Sequence, residues 1–203
     1  MTRRIFTFVL VALMAMTAGA QNASKARKVL DKTASIVNNK GGASANFKIS
    51  GAKTGTMTGT ISIKGNKFQA NTPDASVWYN GKTQWAYMKS TDEVNISDPN
   101  EAQQAQMNPY KFITLYKSGY ALSMKTLAGT YEVHLTATDA KRPIKEMYIT
   151  INSKTYLPTT VKMLQGGKWS TITISNFKTA NLSDATFVFN PKNYPDAEIV
   201  DLR

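Results

Sequence analysis

The sequence predicts a mainly β fold: a strongly curved antiparallel sheet, open or nearly closed, with two or three helices over its apolar concave face. Three observations carry this. Apolar and polar residues alternate through most of the chain beyond Gly42, the two-residue period of strands with one buried face. Turn sequences separate those runs, among them Gly65-Asn66, Asn80-Gly81 and Gly166-Gly167. A clear helical period appears at Ala26, Val29, Leu30, Thr33, Ile36 and Val37.

The chain opens with a leader pattern. Arg3 and Arg4 form a basic start, Ile5 to Met16 an apolar run, and Thr17-Ala18-Gly19-Ala20 a small-residue cleavage site. Cleavage is expected after Ala20, leaving Gln21 as the new N-terminus. The apolar run falls short of the ~20 residues a transmembrane anchor needs. No cysteine follows it, so the mature chain is expected to be exported, soluble and unlipidated. Residues 1–20 are thus read as a signal peptide and 21–203 as one domain.

The first helix is expected from Ser24, as N-cap, to Gly41-Gly42. Strands follow. Phe47 and Ile49 alternate with polar neighbours, as do Met57, Gly59, Ile61 and Ile63, and the Gly- and Thr-rich stretch 43–59 reads as flexible strand and hairpin sequence. Gly65-Asn66 turns into a strand at 67–71. Asn80-Gly81 reads as a tight hairpin with both turn residues at positive φ, joining 77–79 to 83–87, and 93–97 follows. Residues 98–108 read as a polar loop. Asn108-Pro109 starts a second helix, with Phe112, Leu115 and Tyr116 on one face and Gly119 closing it. Further strands are expected at 120–127, 131–138, 147–152, 158–164 and 169–177, with a last short one at Phe187-Val188-Phe189.

Composition excludes several chemistries. The chain has no cysteine, which removes disulfides, thiolate catalysis and cysteine-based metal sites. Its formal net charge is +12, from 25 basic and 13 acidic residues, but the basic residues are scattered. Export argues against nucleic acid. A solvated basic surface is the plain reading; attraction to membrane head groups or acidic partners is the functional one. His134 is the single histidine and sits in a strand pattern with no companion ligand, so no metal or cofactor is expected. Asp92-Glu93, Asp74, Asp98 and 139–143 read as turns. No G-x-S-x-G elbow and no phosphate-binding glycine loop occurs, and no nucleophile, base and orienter assemble. The chain is read as a non-enzyme.

The remaining candidates are apolar. Ile61, Ile63, Phe68, Trp85, Tyr87, Phe112, Leu115, Met147, Ile149 and Met163 fall on strand or helix faces expected to turn inward. They either fill a core or line a cavity for acyl chains. A curved sheet with an unfilled inner face provides such a cavity, and methionine adapts to variable shapes.

The stretch Asn80-Gly81-Lys82-Thr83-Gln84-Trp85-Ala86-Tyr87 resembles the D-G-K-T-x-W-x-Y hairpin of LolA-type periplasmic lipoprotein carriers. The amphipathic helix, the G-x-I-x-I-K strand at Gly59 to Lys64, Phe68, Asn108 to Phe112, Phe187 to Pro191 and Asp201-Leu202-Arg203 follow in that family's order. The resemblance implies an unclosed β-barrel of about eleven strands capped by helices, in a monomeric periplasmic protein. It implies the acyl chains of lipoproteins as ligand, an inner-membrane ABC lipoprotein-release complex as donor, and an outer-membrane acceptor or the membrane itself as recipient. By position, Phe68 matches a cavity-wall aromatic, and Trp85 and Tyr87 the hairpin aromatics. A lipid-binding envelope-stress sensor on the same fold is the alternative; such sensors carry an extra C-terminal domain, and this chain ends where a carrier is expected to end. One departure stands out. Family members place an arginine just after the G-x-I/L-x-V/I-K strand to bond the lid helices, and Lys64-Gly65-Asn66-Lys67 has none, so the lid here is expected to be held differently.

Overall fold

The computed structural model describes residues 2–51, 55–100 and 114–203, with side chains from residue 19 onward. One long helix, α1 (Thr2–Val37), precedes twelve strands: β1 (Ala43–Gly51), β2 (Gly55–Lys64), β3 (Lys67–Asn71), β4 (Ala75–Tyr79), β5 (Gln84–Met88), β6 (Glu93–Ser97), β7 (Tyr120–Leu127), β8 (Thr130–Ala137), β9 (Ile144–Asn152), β10 (Pro158–Gln165), β11 (Lys168–Thr179) and β12 (Glu198–Asp201). They form one sheet in the order β12-β6-β5-β4-β3-β2-β1-β11-β10-β9-β8-β7. Its two ends do not pair, so the barrel is unclosed. Every pairing is antiparallel except β12 with β6, which suits short hairpin connections along a meander.

The alternating strands put their apolar residues on one face. The register aligns Met124, Val133, Ile149, Val161, Ile172, Ile49 and Met57 across β7, β8, β9, β10, β11, β1 and β2. The helix lays Ala26, Val29 and Leu30 onto the β7–β9 part of this inner face, against buried Val133, Leu135, Met147 and Ile151. Polar ties fix it there. Asn22 brackets the edge strand, donating to the Met124 carbonyl at 3.0 Å and accepting from the Met124 N–H at 2.6 Å. Thr33 donates to the Tyr156 carbonyl at 3.0 Å, and the Tyr116 hydroxyl donates to Asp31 at 2.6 Å.

Several elements differ from the sequence reading. The sheet has twelve strands rather than about eleven, and the described residues contain a single α-helix. That helix starts at Thr2 rather than at Ser24 and runs unbroken through Ala20; among the described residues no helix is long and apolar enough to cross a membrane. The stretch read as strand and hairpin is strand at 43–51 and 55–59, as expected, with a register shift between Ser44 and Asn46 where β1 meets β11. Of the expected second helix, a 3-10 turn at Leu115–Lys117 is seen; Phe112 lies outside the described residues. Asn80-Gly81 does turn the chain, but only Gly81 has positive φ, because the Asn80 carboxamide accepts from the Lys82 and Thr83 N–H groups and shapes a wider loop. Phe187 to Phe189 is not a strand: Asp184–Phe187 is a 3-10 turn capped by Ser183, and the closing strand is β12, which pairs in parallel and so has no hairpin signal.

Candidate functional site: an apolar cavity under the helix

The helix does not fill the face it covers. Over β1–β3, β10 and β11 the inner face meets only its last turns, where Leu30, Thr33, Ala34 and Val37 overhang a cavity of about 520 Å³. The sheet side is aliphatic and aromatic, with Phe47, Ile49, Ile61, Ile63, Phe68, Val161, Ile172, Ile174 and Phe177, plus Met147, Ile149 and Met163. Small residues at Ala43, Ala45 and Ala70 leave the space open. Gly59 helps on β2: a Cβ there would lie 2.2 Å from the Asn71 carbonyl oxygen and 2.6 Å from Phe47 Cζ, so the Phe47 ring lies over a bare backbone. Among the described residues no side chain lining the cavity is charged. Its volume falls within the roughly 300–1,000 Å³ of ligand sites. Its wall is mostly apolar, with Thr33, Ser44, Asn46, Gln165 and Ser170 as the polar lining residues, and it suits the burial of apolar matter.

Six sequence candidates, Ile61, Ile63, Phe68, Met147, Ile149 and Met163, line this cavity. Leu115 packs instead against the core beneath the helix. Trp85 and Tyr87 share one face, as expected, but it is the outer one. Ile61 pairs with Ala70, Ala70 with Val77 and Val77 with Ala86, while Phe68, Tyr79 and Gln84 align in the next row. Gln84 and Ala86 therefore take the inner face, and the period of two sends Trp85 and Tyr87 outward. There they meet the C-terminal tail, in a cluster with Trp78, Val94, Phe189, Tyr194 and Ala197.

The helix residues and Phe47, Ile49, Ile172 and Ile174 were not among the sequence candidates. Their alternation in β1 and β11, and their helical spacing in α1, were visible; which face stayed uncovered was not. Away from the cavity, burial and then the bond to Asp31 push the Tyr116 phenol well up, which keeps it a neutral donor to the helix. The residues that stand where the family has its arginine also have partners. Lys64 and Lys67 both reach Asp184, at 3.1 and 2.9 Å, and Lys64 also donates to the Leu182 carbonyl at 2.7 Å. They hold the C-terminal tail, rather than α1, against the sheet. Hydrogen bonds from Lys67 and Lys64 keep the Asp184 carboxyl below its ordinary range. Among the described residues no cluster of His, Asp or Glu could hold a metal.

An unclosed barrel with a helix over an uncharged apolar cavity is a fold that can hold an apolar ligand. The chain belongs to the family of the outer membrane lipoprotein carrier protein LolA, whose model matches residues 16–167. An uncharacterized conserved protein from Thermus thermophilus has the same fold, with a TM-score of 0.59 at 16% identity over 87% of this chain and 99% of that one. A LolA superfamily protein from Nitrosomonas europaea superposes with a TM-score of 0.44 at 12% identity, over 81% of this chain and 97% of that one. For LprF from Mycobacterium bovis the TM-score is 0.47 at 10% identity, over 84% and 98%. No curated protein matches the chain by sequence.

Proposed function

We propose that the protein is an exported periplasmic carrier that shields the acyl chains of lipoproteins in this cavity and moves them from the inner to the outer membrane. The observation that carries the reading is an uncharged cavity of about 520 Å³ in a chain of the LolA family. Each methylene buried there contributes roughly 0.8 kcal/mol, so an acyl chain binds without any polar contact. A fatty carboxylate or a phosphate meets no cationic side chain among the lining residues and stays at the mouth. In this reading the signal peptide is removed after Ala20. Asn22, Ala26 and Leu30 then remain to hold the shortened helix on the sheet. An inner-membrane ABC lipoprotein-release complex supplies the cargo, and an outer-membrane acceptor or the membrane itself takes it.

The test is mass spectrometry of what co-purifies with the mature protein from its native envelope. Bound acylated lipoproteins are the expected result. Ile172→Glu, which sets a charge in the cavity wall, is expected to abolish their recovery while leaving the protein folded. Recovery of free phospholipid alone would replace the carrier with a lipid-binding sensor. A protein without acylated ligand, unable to extract a lipoprotein from membranes, would end the carrier reading.

A further inference from the structure

The β10–β11 hairpin carries a feature the cavity does not use. Trp169 stands at its tip, 36% exposed, beyond a turn in which Gly166 and Gly167 both take positive φ, 56° and 72°. The register pairs Trp169 with Leu164, on the outer face of the sheet. Its ring is held rather than loose. The Lys162 ammonium lies 4.8 Å from the ring centroid, and the Tyr148 ring lies 5.9 Å away. Tyr148 in turn stacks on His134 at 4.2 Å, and His134 meets Glu146 at 3.1 Å.

The surroundings are basic. Lys162 and Lys168 on the hairpin are exposed, as are Lys141 and Lys145 in and beside the next turn, which the pairing of Gln165 with Ile144 brings alongside. Lys145 donates to the Ala140 carbonyl, and Arg142 lies over the Tyr120 ring. Of the acidic groups here, Asp139 accepts from the Lys141 backbone N–H, Glu146 faces His134, and Glu132 on β8 is close enough to act on Tyr148. Lysines thus outnumber carboxylates around an exposed tryptophan. This tip is also one end of the cavity, since Gln165 and Ser170 of the same two strands line it.

We propose that this hairpin tip docks on an anionic lipid surface, with Trp169 at the level of the head groups and Lys162 and Lys168 against lipid phosphates. An indole with a fixed apolar body and a polar N–H suits that boundary, and lysines add electrostatic attraction that fades within a Debye length. Docking here brings the end of the cavity to the bilayer. The inference needs no particular cargo, so it stands or falls separately from the carrier reading.

The experiment is co-sedimentation of the mature protein with vesicles of phosphatidylcholine alone or mixed with phosphatidylglycerol. Binding is expected to the mixed vesicles only, and to weaken as salt rises. Trp169→Ala is expected to lower it about tenfold and Lys168→Gln about fivefold, with Trp169→Tyr recovering most of the loss. All three should keep the wild-type unfolding temperature and the wild-type recovery of acylated ligand. Trp169-dependent docking by a protein that carries no lipoprotein would support the surface and remove the carrier. Equal binding to neutral vesicles, or undiminished binding by both Trp169→Ala and Lys168→Gln, would overturn the proposal.

Discussion

Opposite faces of the same sheet end in opposite states of packing. Outside β4–β6, the tail returns over the strands and packs rings against them: Trp78 meets Phe189 at 5.5 Å and Tyr194 at 5.7 Å, and Tyr87 meets Tyr194 at 4.6 Å. Inside β1–β3, β10 and β11, aliphatic and small residues face about 520 Å³ of unfilled space. Both surfaces are apolar. What separates them is whether the covering segment packs down on them, and that decides whether apolar area stabilises the fold or stays available to a ligand.

The sharpest way to break this contrast is to open the filled side. Trp78→Ala is expected to cost about 3–5 kcal/mol, as large-to-small changes in packed cores do. Denaturant unfolding measures it, and an equal loss for Ile172→Ala would erase the distinction. Next comes the constraint that shapes the open side. Gly59→Val drives a side chain into the Asn71 carbonyl and the Phe47 ring, and is expected to cost about 1–3 kcal/mol, read in the same assay. A gentler change fills the cavity itself. Ala70→Phe occupies space otherwise open and is expected to weaken acyl binding about tenfold, or ~1.4 kcal/mol, at unchanged or raised unfolding temperature; titration with a fluorescent fatty acyl probe tests it.

The smallest expected effect lies in the latch between the two regions. Asp184 is held below the usual carboxylate range by Lys67 and Lys64. A lowered folded-state value contributes stability above the unfolded-state value of about 3.9 and loses it as pH falls through the folded-state value. Asp184→Asn should therefore flatten the acid side of the melting-temperature profile and barely move it near neutrality. A variant with the wild-type acid slope would show that the latch adds nothing.

Much of the sheet was legible. The strands at 67–71, 93–97 and 120–127 have the bounds that alternation predicts, because each packs one face and its register is pinned by its neighbours. The Gly166-Gly167 turn was legible for a local reason, since both residues take positive φ. Ile61, Ile63 and Phe68 were placed at the cavity by the same alternation. Trp85 and Tyr87 were misplaced, because alternation says which residues share a face and not which face is the inner one. β12 escaped notice because a parallel strand reached through a long tail leaves no turn signature of its own.

By itself, then, the sequence determined the local periods, the turns, the absence of thiol chemistry and the resemblance to a lipoprotein-carrier family. Those are properties of neighbouring residues or of their order. Tertiary structure decided which face of each strand is covered. It decided that α1 overhangs β1–β3 without filling the space beneath it and that the tail packs on the aromatics of β4–β6. It also set Lys64 and Lys67 on Asp184, far along the chain. A cavity is the space that remains when every element has taken its place, and no single segment encodes it.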